Sequence, residues 1–554
     1  ARVVIGTNNV DCCARVCHAP SARALEMMLG TGASTNSFED IEFARTIMVC
    51  GANPTENHPV VGARIKQAFL RGANLIVIDP RKTDLASIAN IHLQLSPGTD
   101  ILLFNAMAYT IIQEKLYDEE FITNRTTGFE DFSKFVQNYS PEKVESICGV
   151  KAQDIRKAAR IYATEKPSFV CSGLGLSEHS QGTENVCALI NLALLTGNVG
   201  KRGSGVNPLR GQNNVQGSAH MGCVPTKLTG FVSIQEGKEI FEKVWGTKLP
   251  LTKGIDAIEI IDAMLEGKLK ALYVIGWDIL LSHPNYQKTK EALKNLEFLV
   301  IQDPFLNKTA QEFGDVFLPT SLHFEKEGTF MNAERRINKV NKVIEPRLKA
   351  DWEIICDLAK KMGYSQYFSY SNPKDIWEEI RKVWIEGEGI DYESIEEHGG
   401  IQWPATKENP DGTAFLYEDG FSKLGKASFK LIEHKPVKQD GYQFKLMTGR
   451  TLFQFNAGTF TTRTQNNIFY PDDFLFISPP DAQKLSLKDG DKVRVRSKEG
   501  ELVMICKIDE GLKEGELYTT FHFGSTNKLT TYDDFDSYVH TPRYKMIFVN
   551  LEKV

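Results

Sequence analysis

No apolar run in this 554-residue chain reaches the roughly 18 residues that a membrane-crossing helix needs, so nothing in it reads as a transmembrane segment. Lysine and arginine form no polybasic run, and the formal net charge is −6. A nucleic-acid surface needs cations gathered on one face, so this balance argues against one. No Cys-x-x-Cys pair occurs, which excludes a thioredoxin-type redox motif. Low-complexity repeats are absent as well. There is no initiating methionine and no charged-then-apolar leader ahead of RVVIGTNN, a strand-like and turn-like opening. The native N-terminus is therefore expected upstream, together with any targeting signal.

What is present looks ordinary at first. Apolar residues at 42% and charged residues at 25% fit a globular protein and give no case for disorder. The length suggests about three or four domains. Several of the cysteines, Cys50, Cys148, Cys187 and Cys506, sit inside apolar runs. They read as buried thiols in a reducing compartment, which makes the cytoplasm the expected location.

The first 200 residues alternate short β-branched runs (RTIMVCG, NLIVIDP, PSFVCSGLG) with amphipathic helical stretches (HPVVGARIKQAFLRG, NAMAYTIIQEKL). This pattern predicts α/β structure with crossover helices and a mostly parallel sheet. From about Gly254 the rhythm returns, with IDAIEIIDAMLEG helical and KALYVIG, LEFLVIQDP and DVFLPTS as strands. Residues 365–440, rich in proline, glycine and charge, read as a long irregular connection. Beyond Tyr442 short alternating strands separated by turns, as in DKVRVRSKEGELVMICKID, predict an all-β domain, plausible as a barrel.

The second series echoes the first without gaps. VCGANPTENHP from Val49 aligns on VIGWDILLSHP from Val274, matching Gly51 with Gly276, Asn53 with Asp278 and His58 with His283. Each is followed by a strand ending in Asp-Pro, at Asp79 and at Asp303. A strand closed by a glycine turn places backbone N–H groups at the carboxyl edge of a parallel sheet, where phosphates and ribose bind. Two such units suggest one large ligand or two similar ones, although one such glycine taken alone is as well explained by a tight turn.

Cys12, Cys13 and Cys17 fall within six positions in NNVDCCARVCHAP, with His18 next. Structural zinc needs a second ligand pair that nothing downstream supplies, and a four-cysteine iron–sulfur site fails for the same reason unless an upstream segment completes it. Papain-like catalysis needs a histidine delivered by the fold, and adjacent Cys and His side chains often diverge. Two readings of Cys17 remain: an exposed thiolate at a turn beside the His18 imidazole, or a buried thiol with a surface histidine.

Taken together, VDCCARVCHAPS, CGANPTENHP, VIDPRKTDLA, LTGNVGKRGSGVNPLRGQNNVQG, FEKEGTFMNAERRIN and DAQKLSLKDGDKVRVRS span nearly the whole chain. The sequence resembles the molybdenum or tungsten bis(molybdopterin guanine dinucleotide) oxidoreductases, the dimethyl sulfoxide reductase family, and within it the catalytic subunits of formate dehydrogenases. The resemblance implies two related Rossmann-like parallel-sheet α/β domains and a C-terminal β-barrel of double-psi type. It divides the chain into a remnant at 1–12, an α/β domain at 13–212, a second at 213–322, a mixed connecting region at 323–440 and a barrel at 441–554.

It further implies Cys17 as the protein ligand to molybdenum or tungsten, His18 as proton acceptor or substrate orienter, and Arg210 as the group that binds the formate carboxylate. Whether the hydrogen leaves as a hydride or as a proton to His18, and whether position 17 is natively selenocysteine, stay open at this point. Gly51, Asn53, Asn57, Asp79 and Arg81 match one dinucleotide site, and Gly276, Asp278, Ser282, Gln302 and Asp315 the other. Leu174, Gly175, Gln212, Arg450, Asn527, Tyr544 and Lys545 are implied along the cofactor channel. Glu178 stands where some relatives have Gln and receives no contact. An iron–sulfur cluster is expected only from a segment ahead of Ala1, and electron-transfer subunits carrying iron–sulfur clusters or flavin are the expected partners. Another oxyanion or sulfur-compound reductase of the same family is the alternative activity.

Overall fold

The computed structural model describes all 554 residues, and their contacts divide into two compact units. One unit comprises residues 16–211, 284–286 and 415–554. Its first layer is a five-stranded sheet in the order Ile91–Leu93, Asn74–Ile78, Thr46–Cys50, Ser168–Ser172 and Gly205–Pro208. Every pairing in it is parallel. The central strand is buried at all five positions. Helices cover both faces, which is why the sequence there is a continuous apolar run and not an alternation. Each fully buried Ile47, Met48 or Val49 contributes about 1.5–3 kcal/mol of hydrophobic stabilisation.

The same unit holds a closed six-stranded barrel in the order Phe444–Gly449, Glu516–Thr520, Leu475–Ile477, Glu501–Ile508, Lys492–Arg496 and Ile547–Lys553. Leu446, Leu475, Ile477, Val493, Val495, Leu517 and Val549 fill its interior. The KEG turn closes the hairpin between Lys492–Arg496 and Glu501–Ile508, as its sequence predicts.

The other unit comprises residues 1–15, 212–283 and 287–414. Its parallel sheet has three strands, Ala271–Ile275, Phe298–Asp303 and Val316–Pro319. The N-terminal residues are not a strand. They form a turn in which the Ala1 carbonyl accepts from Ile5 and Gly6 N–H. Side chains fasten it: the Arg2 guanidinium donates to the carbonyls of Gly222, Val224 and Lys227, and Asn8 donates to those of Pro250 and Thr252.

The stretch at 365–440 is more regular than its composition suggests. Pro373–Val383 and Tyr392–His398 are helices. Asn372 caps the first by accepting from Asp375 N–H, Pro373 supplies a preset first-turn φ, and buried Trp377 anchors the inner face by donating Nε1–H to the Ile390 carbonyl. The dense charge lies on the outer face and hides the period.

Candidate functional site

In the five-stranded sheet the strand order reverses between Thr46–Cys50 and Ser168–Ser172, and the crevice at their carboxyl ends is where such sheets bind ligands. The chain leaves these two strands through Gly51 and Gly173, which interlock with Gly175. Gly175 N–H donates to the Gly51 carbonyl at 3.0 Å, and a Cβ on Gly51 would stand 2.7 Å from Gly175 backbone. Only glycines admit this approach, and it leaves the backbone bare toward a pocket.

Of the residues that the sequence assigned to cofactor binding, Gly51, Asn53, Asn57, Asp79, Arg81, Leu174, Gly175, Arg450 and Lys545 line that one pocket. Arg81 lies 3.5 Å over the Tyr518 ring, and its buried Nε has no partner. Arg450 Nε is likewise unpartnered. Burial pushes Asp79 up to about 6 and Asp100 up to about 7. Sequence reasoning gave no role to Asp100, His179 or Tyr518, which also line the pocket. Nothing in their local pattern marks them.

Cys17 and His18 precede the helix Ala19–Leu29, whose Leu25, Met28 and Leu29 are buried and hold the turn in place. Cys17 is not an exposed thiolate. It is 5% exposed, because the short helix Leu174–Ser177 closes over it and Ser177 Oγ donates to its carbonyl at 3.4 Å. His18 is buried too, so neither sequence reading of this pair holds in full. Burial first, and then Glu178, push the thiol up to about 12, against the pull of Arg210 and Lys545. Both ring nitrogens of His18 are buried without a partner, and burial followed by Arg210 holds its pKa well below the usual imidazole value.

Arg210 is buried and fixed from two sides. Its Nη2 donates to the Gly32 carbonyl at 2.7 Å, and its own carbonyl accepts from His58 Nε2 at 2.7 Å. His58 Nδ1 lies 2.7 Å from the Asn57 side-chain amide. Arg210 Nε remains unpartnered, and desolvation lowers the guanidinium to about 10. The sequence showed His58 only as part of the echo, and its hold on Arg210 follows from the fold.

Glu178, left without a contact in the sequence reading, is buried and pairs with Lys545 at 3.1 Å. Asn527 is buried in this unit and its Oδ1 accepts from Thr530 Oγ1, while the Tyr544 carbonyl accepts from Thr448 Oγ1.

The second set belongs to the other unit. Asp278 caps Lys308–Phe313 from a distance, accepting from Lys308 N–H, Thr309 N–H and Thr309 Oγ1. Gln302 donates to Asp351 and accepts from the Tyr273 hydroxyl, and Asp315 accepts from Leu299 N–H. Gly276 and Ser282 flank Asp278 along the chain, and Gln212 lies in the same unit.

Three unpartnered guanidinium nitrogens, a glycine-lined backbone edge and a buried soft thiol form a donor set that fits a phosphate-bearing cofactor with a thiophilic metal. No helix is long and apolar enough to cross a membrane, and none of the ten cysteines is in a disulfide.

Comparison with known proteins agrees with this chemistry. The chain is 40% identical to the F420-dependent formate dehydrogenase subunit alpha of Methanocaldococcus jannaschii, over all of this chain and 83% of that protein. It is 37% identical to formate dehydrogenase H of Escherichia coli, over all of this chain and 79% of that protein. Acetylene hydratase from Pelobacter acetylenicus has the same fold, with a TM-score of 0.78 over 98% of this chain and 82% of that one at 24% identity. Residues 444–548 match the molydopterin dinucleotide binding domain, and residues 1–361 match the molybdopterin oxidoreductase model. The chain therefore belongs to the molybdopterin oxidoreductase family.

Proposed function

We propose that this chain is the catalytic chain of a formate dehydrogenase, converting formate to carbon dioxide, a proton and two electrons, or running the reverse. The observation that carries the reading is the buried Cys17 beside a guanidinium, Arg210, that is fixed at both ends and still has an unpartnered Nε. The two formate dehydrogenase chains at 40% and 37% identity support it.

When bound, a molybdenum or tungsten ion held by two molybdopterin guanine dinucleotides supplies the two-electron acceptor. Cys17 would provide the metal's thiolate, Gly51 to Arg81 with Arg450 and Lys545 would hold one dinucleotide, and Gly276 to Asp315 the other. Arg210 offers its planar fork to the formate carboxylate, and its fixed backbone sets where the carbon atom lies. Burial favours the neutral form of His18, and its unpartnered ring nitrogens would be available to take or steer the proton. Burial of all three excludes water, which strengthens the Arg210–carboxylate attraction. Electrons leave to partner subunits carrying iron–sulfur clusters or flavin.

The test uses the enzyme with its partner subunits and a dye acceptor. Cys17→Ala is expected to lose at least about 1,000-fold in kcat/KM, a cost of ~4 kcal/mol in transition-state stabilisation. Retention of formate oxidation by that variant sinks the proposed site. Preference for another oxyanion over formate in the wild type would favour a different reductase activity.

A further inference from the structure

We propose that Glu178 and Lys545 act as one charge-neutral pair whose carboxylate keeps the cation from raising the reduction potential of the centre at Cys17. The inference rests on the reading of Cys17 as a metal ligand and names a tuning role that neither pair member has in it.

The geometry is tight. Ser177 Oγ binds the Cys17 carbonyl at 3.4 Å, so the residue that follows it, Glu178, ends the helix that roofs the cysteine. Glu178 Oε2 stands 3.1 Å from Lys545 Nζ, with the two side chains 6% and 10% exposed. Lys545 N–H also donates to the Glu178 carbonyl at 3.2 Å. The ammonium spends its remaining hydrogens on Thr448, at 2.9 Å to the carbonyl and 3.3 Å to Oγ1. Three acceptors thus fix the cation in the pocket wall, and a carboxylate cancels it.

The surroundings explain why cancellation matters. Arg210 is buried and Arg450 half-buried, both act electrostatically on the Cys17 thiol, and each has a buried, unpartnered Nε. Without Glu178 a third positive charge would act on the same sulfur at low dielectric, where Coulomb terms are several-fold larger than in water. A nearby cation favours the more electron-rich state of a redox centre. The pair sums to zero whether it is ionic or has exchanged its proton, so the argument does not depend on its protonation.

The test is a spectroelectrochemical titration of the metal centre in the holoenzyme, with metal content measured alongside. Glu178→Gln is expected to raise the potential, changing the reduced-to-oxidised ratio at a fixed potential at least tenfold, about 59 mV for a one-electron couple. Lys545→Met is expected to move it the opposite way, and that variant decides the matter if Glu178→Gln does not hold the metal. The double variant is expected to return close to wild type, because the site is neutral again. Glu178→Asp is expected to stay near wild type. Unchanged potentials in metal-loaded single variants overturn the proposal, as does a Glu178→Gln shift that persists in the double variant, since that marks a structural effect. Wild-type holoenzyme without molybdenum or tungsten overturns the reading of the site, and the role of the pair with it.

Discussion

The glycines that end Thr46–Cys50 and Ala271–Ile275 both adopt positive φ, +55° at Gly51 and +63° at Gly276. Both N–H groups extend the ladder by donating at 2.8 Å, to Ile78 and to Gln302 carbonyls. Each is followed by a four-residue helix, Pro54–Asn57 or Ile279–Ser282, and a histidine at its end. The next strand in each case ends in an aspartate whose Oδ1 accepts from the N–H two residues on, at 2.8 Å from Arg81 or Phe305. Their surroundings differ. A Cβ on Gly51 would collide with backbone, whereas one on Gly276 meets nothing within 4 Å. Cys50 is fully buried while Ile275, at the same place in the echo, is 44% exposed. His58 holds Arg210, but buried His283 has an unpartnered Nδ1 and lies 5.4 Å from the Trp277 ring. The same local device is built into a crowded crevice in one copy and an open strand end in the other.

The largest contrast is expected from the glycines themselves. Gly51→Ala must move the Gly175 backbone as well as hold alanine at positive φ, and should cost about 4 kcal/mol or more. Gly276→Ala bears only the conformational term, about 1–2 kcal/mol. Urea unfolding of the two cofactor-free variants measures the gap, and equal losses would break the comparison.

A smaller effect concerns pH. The folded-state pKa of Asp79, about 6, lies above its ordinary value because of burial. Its contribution to stability is therefore complete below about pH 4 and is lost as pH rises through 6. In cofactor-free protein, Asp79→Asn should gain on wild type between pH 4 and 6 by at most about 3 kcal/mol. A pH-independent difference between the two would show that the carboxyl is not buried as described.

Next comes the histidine pair. His58→Gln frees the Arg210 carbonyl and should raise KM for formate about five- to tenfold, near 1 kcal/mol, with a smaller change in kcat. His283→Gln should move KM less than twofold. Steady-state kinetics separates them, and an equal response would mean that the bond to Arg210 does not position substrate. The smallest effect belongs to Ile275→Thr at its exposed strand end, expected within about 0.5 kcal/mol by thermal unfolding.

Much of this was legible in the residues. The parallel sheets and the barrel follow from period and turn chemistry, and the cofactor family from the resemblance carried by the motifs around Cys17, Gly51 and Arg210. Less legible was burial at the cysteine turn: Ala-Pro after Cys17-His18 reads as surface, and only Ser177, 160 positions on, shows that the turn is roofed. Glu178 receives no contact in the sequence reading because some relatives carry Gln there, and its partner Lys545, just ahead of the last barrel strand, is linked to it by no local spacing.

Sequence by itself determined the chemistry available here: a soft thiol, an imidazole, a guanidinium and two glycine-ended strands, each set by residue type and short-range pattern. Tertiary structure decided which of them meet. It buried Cys17, clamped Arg210 between Gly32 and His58, cancelled Lys545 with Glu178 and left Gly276 open. Local propensity acts over a few residues, whereas desolvation and charge pairing depend on what long-range packing brings within a few ångströms.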